Sequence, residues 1–244
     1  MASEVQVVDG PFGPEVRPEG RPAEQIVLYL HGDPRLGGTP QDALSSAREL
    51  ARLTGHAVVC ARYRPRFPQG LDDVYAAWEH CHSQGAVAVA GKRLGGALAA
   101  ALLLRLRDEG AAEPRCAVLI SPILDFTLEA QSLHLNAVAD RTVDAASLPV
   151  RAAAYAGQTP RDHPLLSPLH GNLHGLPPLQ LHAAGTEVLL DDTLSFATRA
   201  AHSGVAVDMR IYEDLSAQGL KQLGVMAAFL QSWHRSASLS TSGN

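Results

Sequence analysis

The stretch from Val87 to Ala100 reads Val-Ala-Val-Ala-Gly-Lys-Arg-Leu-Gly-Gly-Ala-Leu-Ala-Ala, and few folds can accommodate it. The apolar run up to Ala90 reads as a buried parallel strand, and the Ala/Leu run after Gly96 as a helix. Between them Gly91 and Gly95 stand two residues either side of Arg93. Glycine at those places relieves the crowding of a tight strand-to-helix turn. A serine at such an apex serves as a nucleophile. Arginine cannot, because its guanidinium stays protonated in proteins and offers no lone pair. The segment therefore predicts an α/β architecture and raises the question of what a cationic apex is for.

The flanking sequence continues the alternation. Strands are expected at Val5–Val8, Gln25–Leu30, His56–Arg62, Arg115–Ile120, Leu179–Ala183 and Val205–Tyr212. Helices are expected at Gln41–Leu53, Leu71–Ser83, Asp191–His202 and Leu220–Arg235. Leu71, Val74, Tyr75 and Trp78 fall on one helical face. Residues between Val8 and Pro22 read as a Pro/Gly-rich connection. This order predicts a mostly parallel central sheet with helices on both faces. The exception is Asp125–Pro177, a long helical and Pro-rich insertion expected to form a lid or pocket wall above the carboxyl edge of the sheet.

Composition narrows the partners. A chain of 244 residues with 46% apolar content can bury one sizeable core, so a single domain over 1–244 is expected, with 236–244 as a frayed tail. A net charge of −5 gives no reason to expect nucleic acid or an anionic membrane. Cys60, Cys81 and Cys116 are odd in number and lack C-x-x-C spacing, which fits a reduced, cytoplasmic protein. No leader pattern and no bilayer-length apolar stretch is present in the sequence. His80 and His82 are two apart and point to different helical faces, so no metal site and no cofactor is expected.

Several motifs in order resemble the hormone-sensitive-lipase-like branch of the α/β-hydrolase superfamily, a group of bacterial esterases. The likeness runs from about Gln25 to Trp233. Val27 to Gly32 resembles the strand entering that branch's H-G-G-G oxyanion motif. Tyr63-Arg64-Pro65, Phe67-Pro68 and Leu71-Asp72-Asp73-Val74 resemble its Y-R-L-A-P-E, F-P and D-D-V stretch. Ser121-Pro122-Ile123-Leu124-Asp125 resembles its S-P-W-L-D segment. Ser167-Pro168-Leu169 with Leu176-Pro177-Pro178-Leu179 resembles the run into the strand bearing the catalytic acid.

The resemblance implies an α/β-hydrolase fold and carries its chemistry poorly. Arg93 stands at the nucleophile. Thr186 stands at the acid, with Glu187 available if the alignment slips by one, and Ala217 stands at the histidine. The oxyanion run reads His31-Gly32-Asp33-Pro34, with a carboxylate and a residue lacking N–H where two glycines belong. Only about two dozen residues precede Gln25, where the branch carries a helical cap.

Arg93 and Asp33 are the candidate catalytic pair. Arg93, at a helix N-terminus, is expected either to hold an anion or enolate, helped by Lys92, or to close an internal bridge with Asp33 or Glu187. Asp33 is a candidate base and, more simply, a charge partner. His31, Gly32, Lys92, Leu94, Tyr155, Thr186, Glu187 and Ala217 are the expected pocket residues, with His31 structural in the resembled turn and Tyr155 either a pocket phenol or a packed lid residue. His163, His170 and His174 lie in the insertion, mostly as surface residues. The reading that follows is a non-hydrolytic protein without turnover of p-nitrophenyl esters, either a repurposed cyclase, isomerase, lyase or dehydratase of polyketide-like molecules or an inactive pseudohydrolase. A hydrolase with relocated catalytic groups is a further possibility. The expected partner is a small anionic molecule, with a homodimer possible.

Overall fold

A computed structural model describes residues 4–20, 23, 25–33, 36–214 and 219–240, with side chains described to residue 233. Eight strands form one sheet in the order β1-β2-β4-β3-β5-β6-β7-β8. They are β1 (Val5–Gly10), β2 (Gly13–Pro18), β3 (Ile26–Leu30), β4 (Ala57–Cys60), β5 (Ala86–Lys92), β6 (Cys116–Ile120), β7 (Leu179–Ala184) and β8 (Val207–Tyr212). Strands β3 to β8 run parallel, while β2 pairs antiparallel with both β1 and β4. The sheet is mostly parallel, with helices on both faces.

Strand β2 corrects the sequence reading. The Pro/Gly-rich connection folds back as a hairpin partner of β1, and Val16 is wholly buried between sheet and helix. The glycines that mask the strand pattern are needed for approach. A Cβ on Gly13 would sit 2.1 Å from the Cys60 carbonyl oxygen.

The helices are α1 (Pro40–Thr54), α2 (Gln69–Ser83), α3 (Leu94–Asp108), α4 (Ser132–Leu135), α5 (Leu148–Ala156), α6 (Leu190–His202) and α7 (Gly219–Ser240). Helix α1 starts where the Asp42 carboxylate accepts the Thr39 N–H at 2.7 Å, a capping box, and stops at Gly55 with φ 77°. Helix α7 continues into the segment expected as tail. Alternation along β3 divides the core. Leu28 and Leu30 join Trp78, Leu102 and Phe196 on one face, while Val27 and Tyr29 join Leu50, Met226 and Leu230 on the other. Each buried leucine contributes about 1.5–3 kcal/mol of transfer free energy. Helix α3 is buried nearly all round, which is why its sequence shows little polar face.

The insertion contributes α4, α5 and a 3-10 turn at Pro168–His170. Its residues meet the carboxyl ends of the strands: Thr142 reaches Arg93 just past β5, and Asn136 and Ser132 reach the turn after β7. No helix among the described residues is long and apolar enough to cross a membrane. All three cysteines are free and buried.

Candidate functional site

The site grows from the turn between β5 and α3. A Cβ on Gly91 would meet the Gly95 carbonyl oxygen at 2.1 Å, and one on Gly95 would meet the Leu30 carbonyl oxygen at 2.1 Å. Backbone occupies the space that side chains would need at both glycines. Arg93 takes φ 54° and ψ −116°, a conformation costly for any residue with a Cβ and held by its surroundings. Its N–H donates to the Ile120 carbonyl at 2.9 Å, and its own carbonyl accepts from Gly96 and Ala97 at 3.0 and 3.1 Å.

That conformation turns the Arg93 side chain into a cavity of about 500 Å³, walled by Gly32, Lys92, Ser121, Thr142, Thr186 and Glu187 among others. The Arg93 side chain is 7% exposed and that of Glu187 4%, with Arg93 Nη1 lying 3.4 Å from Glu187 Oε2. The same Oε2 accepts the Ser121 hydroxyl at 2.7 Å. Ser121 is buried, ends β6 and has φ 43°. Arg93 Nη2 donates to Thr142 Oγ1 at 2.9 Å. Thr142 is fixed in turn by Asp140, whose Oδ1 accepts the Thr142 N–H and hydroxyl at 2.8 and 2.7 Å, while its Oδ2 accepts the Val188 N–H at 3.0 Å. Arg93 Nε and Nη1 and Glu187 Oε1 have no hydrogen-bond partner among the described residues.

Burial pushes the Glu187 carboxyl above its usual range, and the Arg93 cation and Ser121 hydroxyl oppose that shift without cancelling it. Asp140 is held low. Burial works against its charge, but the bonds from Thr142, Val188 and Val143 outweigh it. The Ser121 hydroxyl thus donates to a buried carboxylate that a cation flanks at 3.4 Å.

The other expected residues fall in different places. Arg93 pairs with Glu187 and not with Asp33. The Asp33 carboxylate accepts the Gly37 N–H at 2.9 Å and so closes its own loop, on an adjoining depression of about 860 Å³ that shares Asp140, Arg141 and Thr142 with the Arg93 cavity. His31 is structural, stacked on Tyr63 at 4.3 Å, with the Tyr63 hydroxyl donating to its carbonyl and burial pushing its ring down to about 4. Gly32 packs on the Lys92 carbonyl, where a Cβ would stand at 2.0 Å. Lys92 is exposed at the cavity wall, and Leu94 is buried in the core. Tyr155 is not a pocket phenol. It is 4% exposed and stacks on Phe126 at 5.2 Å, joining the main core on that face of the sheet. The Thr186 hydroxyl turns out to the Glu213 carbonyl at 3.4 Å, so Glu187 is the inward residue of that turn. Ala217 and Pro34 lie outside the described residues. Sequence reasoning missed Ser121, Asp140 and Thr142 as site residues. Ser121 sat in a quoted motif, whereas the other two carry no periodic or spacing signal. No group of three or more His, Cys, Asp or Glu among the described residues could hold a metal ion.

With this geometry in place, the relatives can be compared. The family model of the alpha/beta hydrolase fold matches residues 27–217. The chain is 34% identical over 232 residues to an acetyl-hydrolase of Streptomyces hygroscopicus, covering 86% of this chain and 78% of that protein. It is 29% identical over 213 residues to an esterase of Acinetobacter venetianus, covering 83% and 70%. An esterase/lipase structure from an uncultured bacterium matches with TM-score 0.87 at 29% identity, covering 94% of this chain and 85% of that one. An esterase structure from the bacterial hormone-sensitive lipase family matches with TM-score 0.87 at 28% identity, covering 95% and 85%. The chain belongs to the α/β-hydrolase family, and its similar proteins are esterases of the hormone-sensitive-lipase-like kind.

These relatives overturn the expectation of a non-hydrolytic protein. The similar proteins are named acetyl-hydrolase, esterase and lipase, and point to hydrolysis. The cyclase, isomerase, lyase, dehydratase and pseudohydrolase readings fall with it, as do the exclusion of a serine-dependent esterase and the expected absence of ester turnover. Around Arg93 the chain keeps a cavity, a buried carboxylate and a serine in contact with that carboxylate.

Proposed function

We propose that this chain is a serine-dependent carboxylic-ester hydrolase in which Ser121 is the nucleophile and Glu187 its base, with Arg93 at the apex as the electrostatic partner. One observation carries the reading: the 2.7 Å contact from the Ser121 hydroxyl to the Glu187 oxygen that also faces Arg93 at 3.4 Å. In the ionised state Glu187 takes the Ser121 proton as Oγ bonds to the acyl carbon. The charge of the tetrahedral oxyanion is stabilised by the Arg93 cation, whose residue lines the cavity. The ester C–O bond then breaks as Glu187 returns the proton to the leaving alkoxide. Water, deprotonated by Glu187, attacks the acyl-serine, and the acid leaves as Ser121 regains its proton.

The acetyl-hydrolase and esterase names of the relatives support a short acyl group as substrate. The test is turnover of p-nitrophenyl acetate, with intact-mass detection of an acetyl adduct on Ser121 after acid quench. Turnover that falls roughly 100-fold or more in both Ser121→Ala and Glu187→Gln is the expected result. Turnover no faster than the blank overturns the hydrolase reading. Turnover unchanged in Ser121→Ala overturns the role of that serine.

A further inference from the structure

We infer that the cavity-facing side of Arg93 is a binding site for a small monocarboxylate, and, resting on the hydrolase reading, that its natural occupant is the acid released by the reaction. The guanidinium has five N–H bonds. Thr142 accepts one of them, and Nε and Nη1 have no partner among the described residues although the side chain is only 7% exposed. The neighbouring Glu187 lies at 3.4 Å and makes no hydrogen bond to Nη1. A buried cation with unused donors, at the N-terminus of the 15-residue helix α3, favours an anion on two counts.

The walls choose the kind of anion. Lys92 and Arg141 add cations, but the four carboxyl side chains of Asp140, Glu187, Glu213 and Asp214 also line the cavity and work against a dianion. A flat, singly charged carboxylate fits that balance better than phosphate or sulfate does. Glu187 lines the same cavity, and its Oε1 has no hydrogen-bond partner among the described residues, so it is free of any bond that would fix its protonation state. Burial already favours its protonated form, against the opposing pull of Arg93 and Ser121 and with the help of the Asp140 charge. Binding a carboxylate should therefore draw a proton onto Glu187, with affinity rising as pH falls toward the ligand's own pKa.

Isothermal calorimetry with acetate and butyrate, against phosphate and neutral butyramide, tests the site without requiring turnover. Saturable acetate binding is expected, weakened roughly 10- to 100-fold in Arg93→Ala and less in Arg93→Lys, the scale of losing a charged hydrogen-bonded contact. The wild-type heat should vary with the buffer's ionisation enthalpy, and Glu187→Gln should lose that variation while still binding. Circular dichroism confirms that each variant is folded. Acetate binding no tighter than butyramide, or unchanged in both Arg93 variants, overturns the inference. Acetate binding without hydrolysis of p-nitrophenyl acetate leaves the site standing and removes the hydrolase reading. Hydrolysis without acetate binding does the reverse.

Discussion

At the scale of single residues, chemistry depends on the charge state of Glu187. The carboxyl must be ionised to accept the Ser121 proton, and burial raises its pKa. The ascending limb of kcat/KM against pH should therefore lie above the ordinary carboxylate range. Arg93 favours the ionised form, so Arg93→Ala should move that limb to higher pH. Asp140 disfavours it, so Asp140→Asn should move it lower. Pre-steady-state acylation rates over a pH series check both directions, and a shift of the same sign in the two variants would remove Glu187 from the role of base. Thr142→Val deletes the hydroxyl that receives Arg93 Nη2 and should cost about tenfold or less in kcat/KM, since four guanidinium donors remain.

At the scale of elements, the turn between β5 and α3 is fixed by backbone crowding. Gly95→Ala would place a methyl 2.1 Å from the Leu30 oxygen and 2.3 Å from the His31 oxygen, with no flexible atom to yield. A loss of more than about 3 kcal/mol in urea unfolding is expected, above the usual cost of overpacking. This turn was legible in the sequence because its constraint is local: a buried strand, two glycines and an apolar helix in one short run. Strand β2 was not, because the glycines and prolines that let it approach Cys60 are the same residues that signal a loop. The inward residue of the turn after β7 was ambiguous between Thr186 and Glu187, since a shift of one position reverses which side chain faces in, and apolar periodicity says nothing inside a turn. Asp140 and Thr142 were invisible for a different reason. They act through hydrogen bonds across 48 and 49 positions, made only once the insertion has folded over the strands.

At the scale of the whole molecule, buried ionisable groups make stability depend on pH with signs that can be separated. His182, bonded to Tyr212 and Gln180, is pushed down to about 4 by burial. Its contribution is complete above the unfolded value near 6.5 and is lost as pH falls from there toward 4. Asp192, buried under the Leu124 and Asp125 N–H groups, is pushed up to about 7. Its contribution is complete below the unfolded value of 3.8 and is lost as pH rises through about 7. Between pH 4.5 and 6, His182→Gln should lower the slope of unfolding free energy against pH by up to one proton, about 1.4 kcal/mol per unit, and Asp192→Asn should raise it by as much. Urea titrations at several pH values measure both, and equal slopes in the three proteins would contradict the assignment. The turn that holds Arg93 has a consequence of another kind. Its path is set by the close approach of Gly91 and Gly95 to backbone carbonyls. A library randomised at position 93 alone would therefore keep the path of the turn and sort its members by how each side chain meets the buried Glu187 carboxylate.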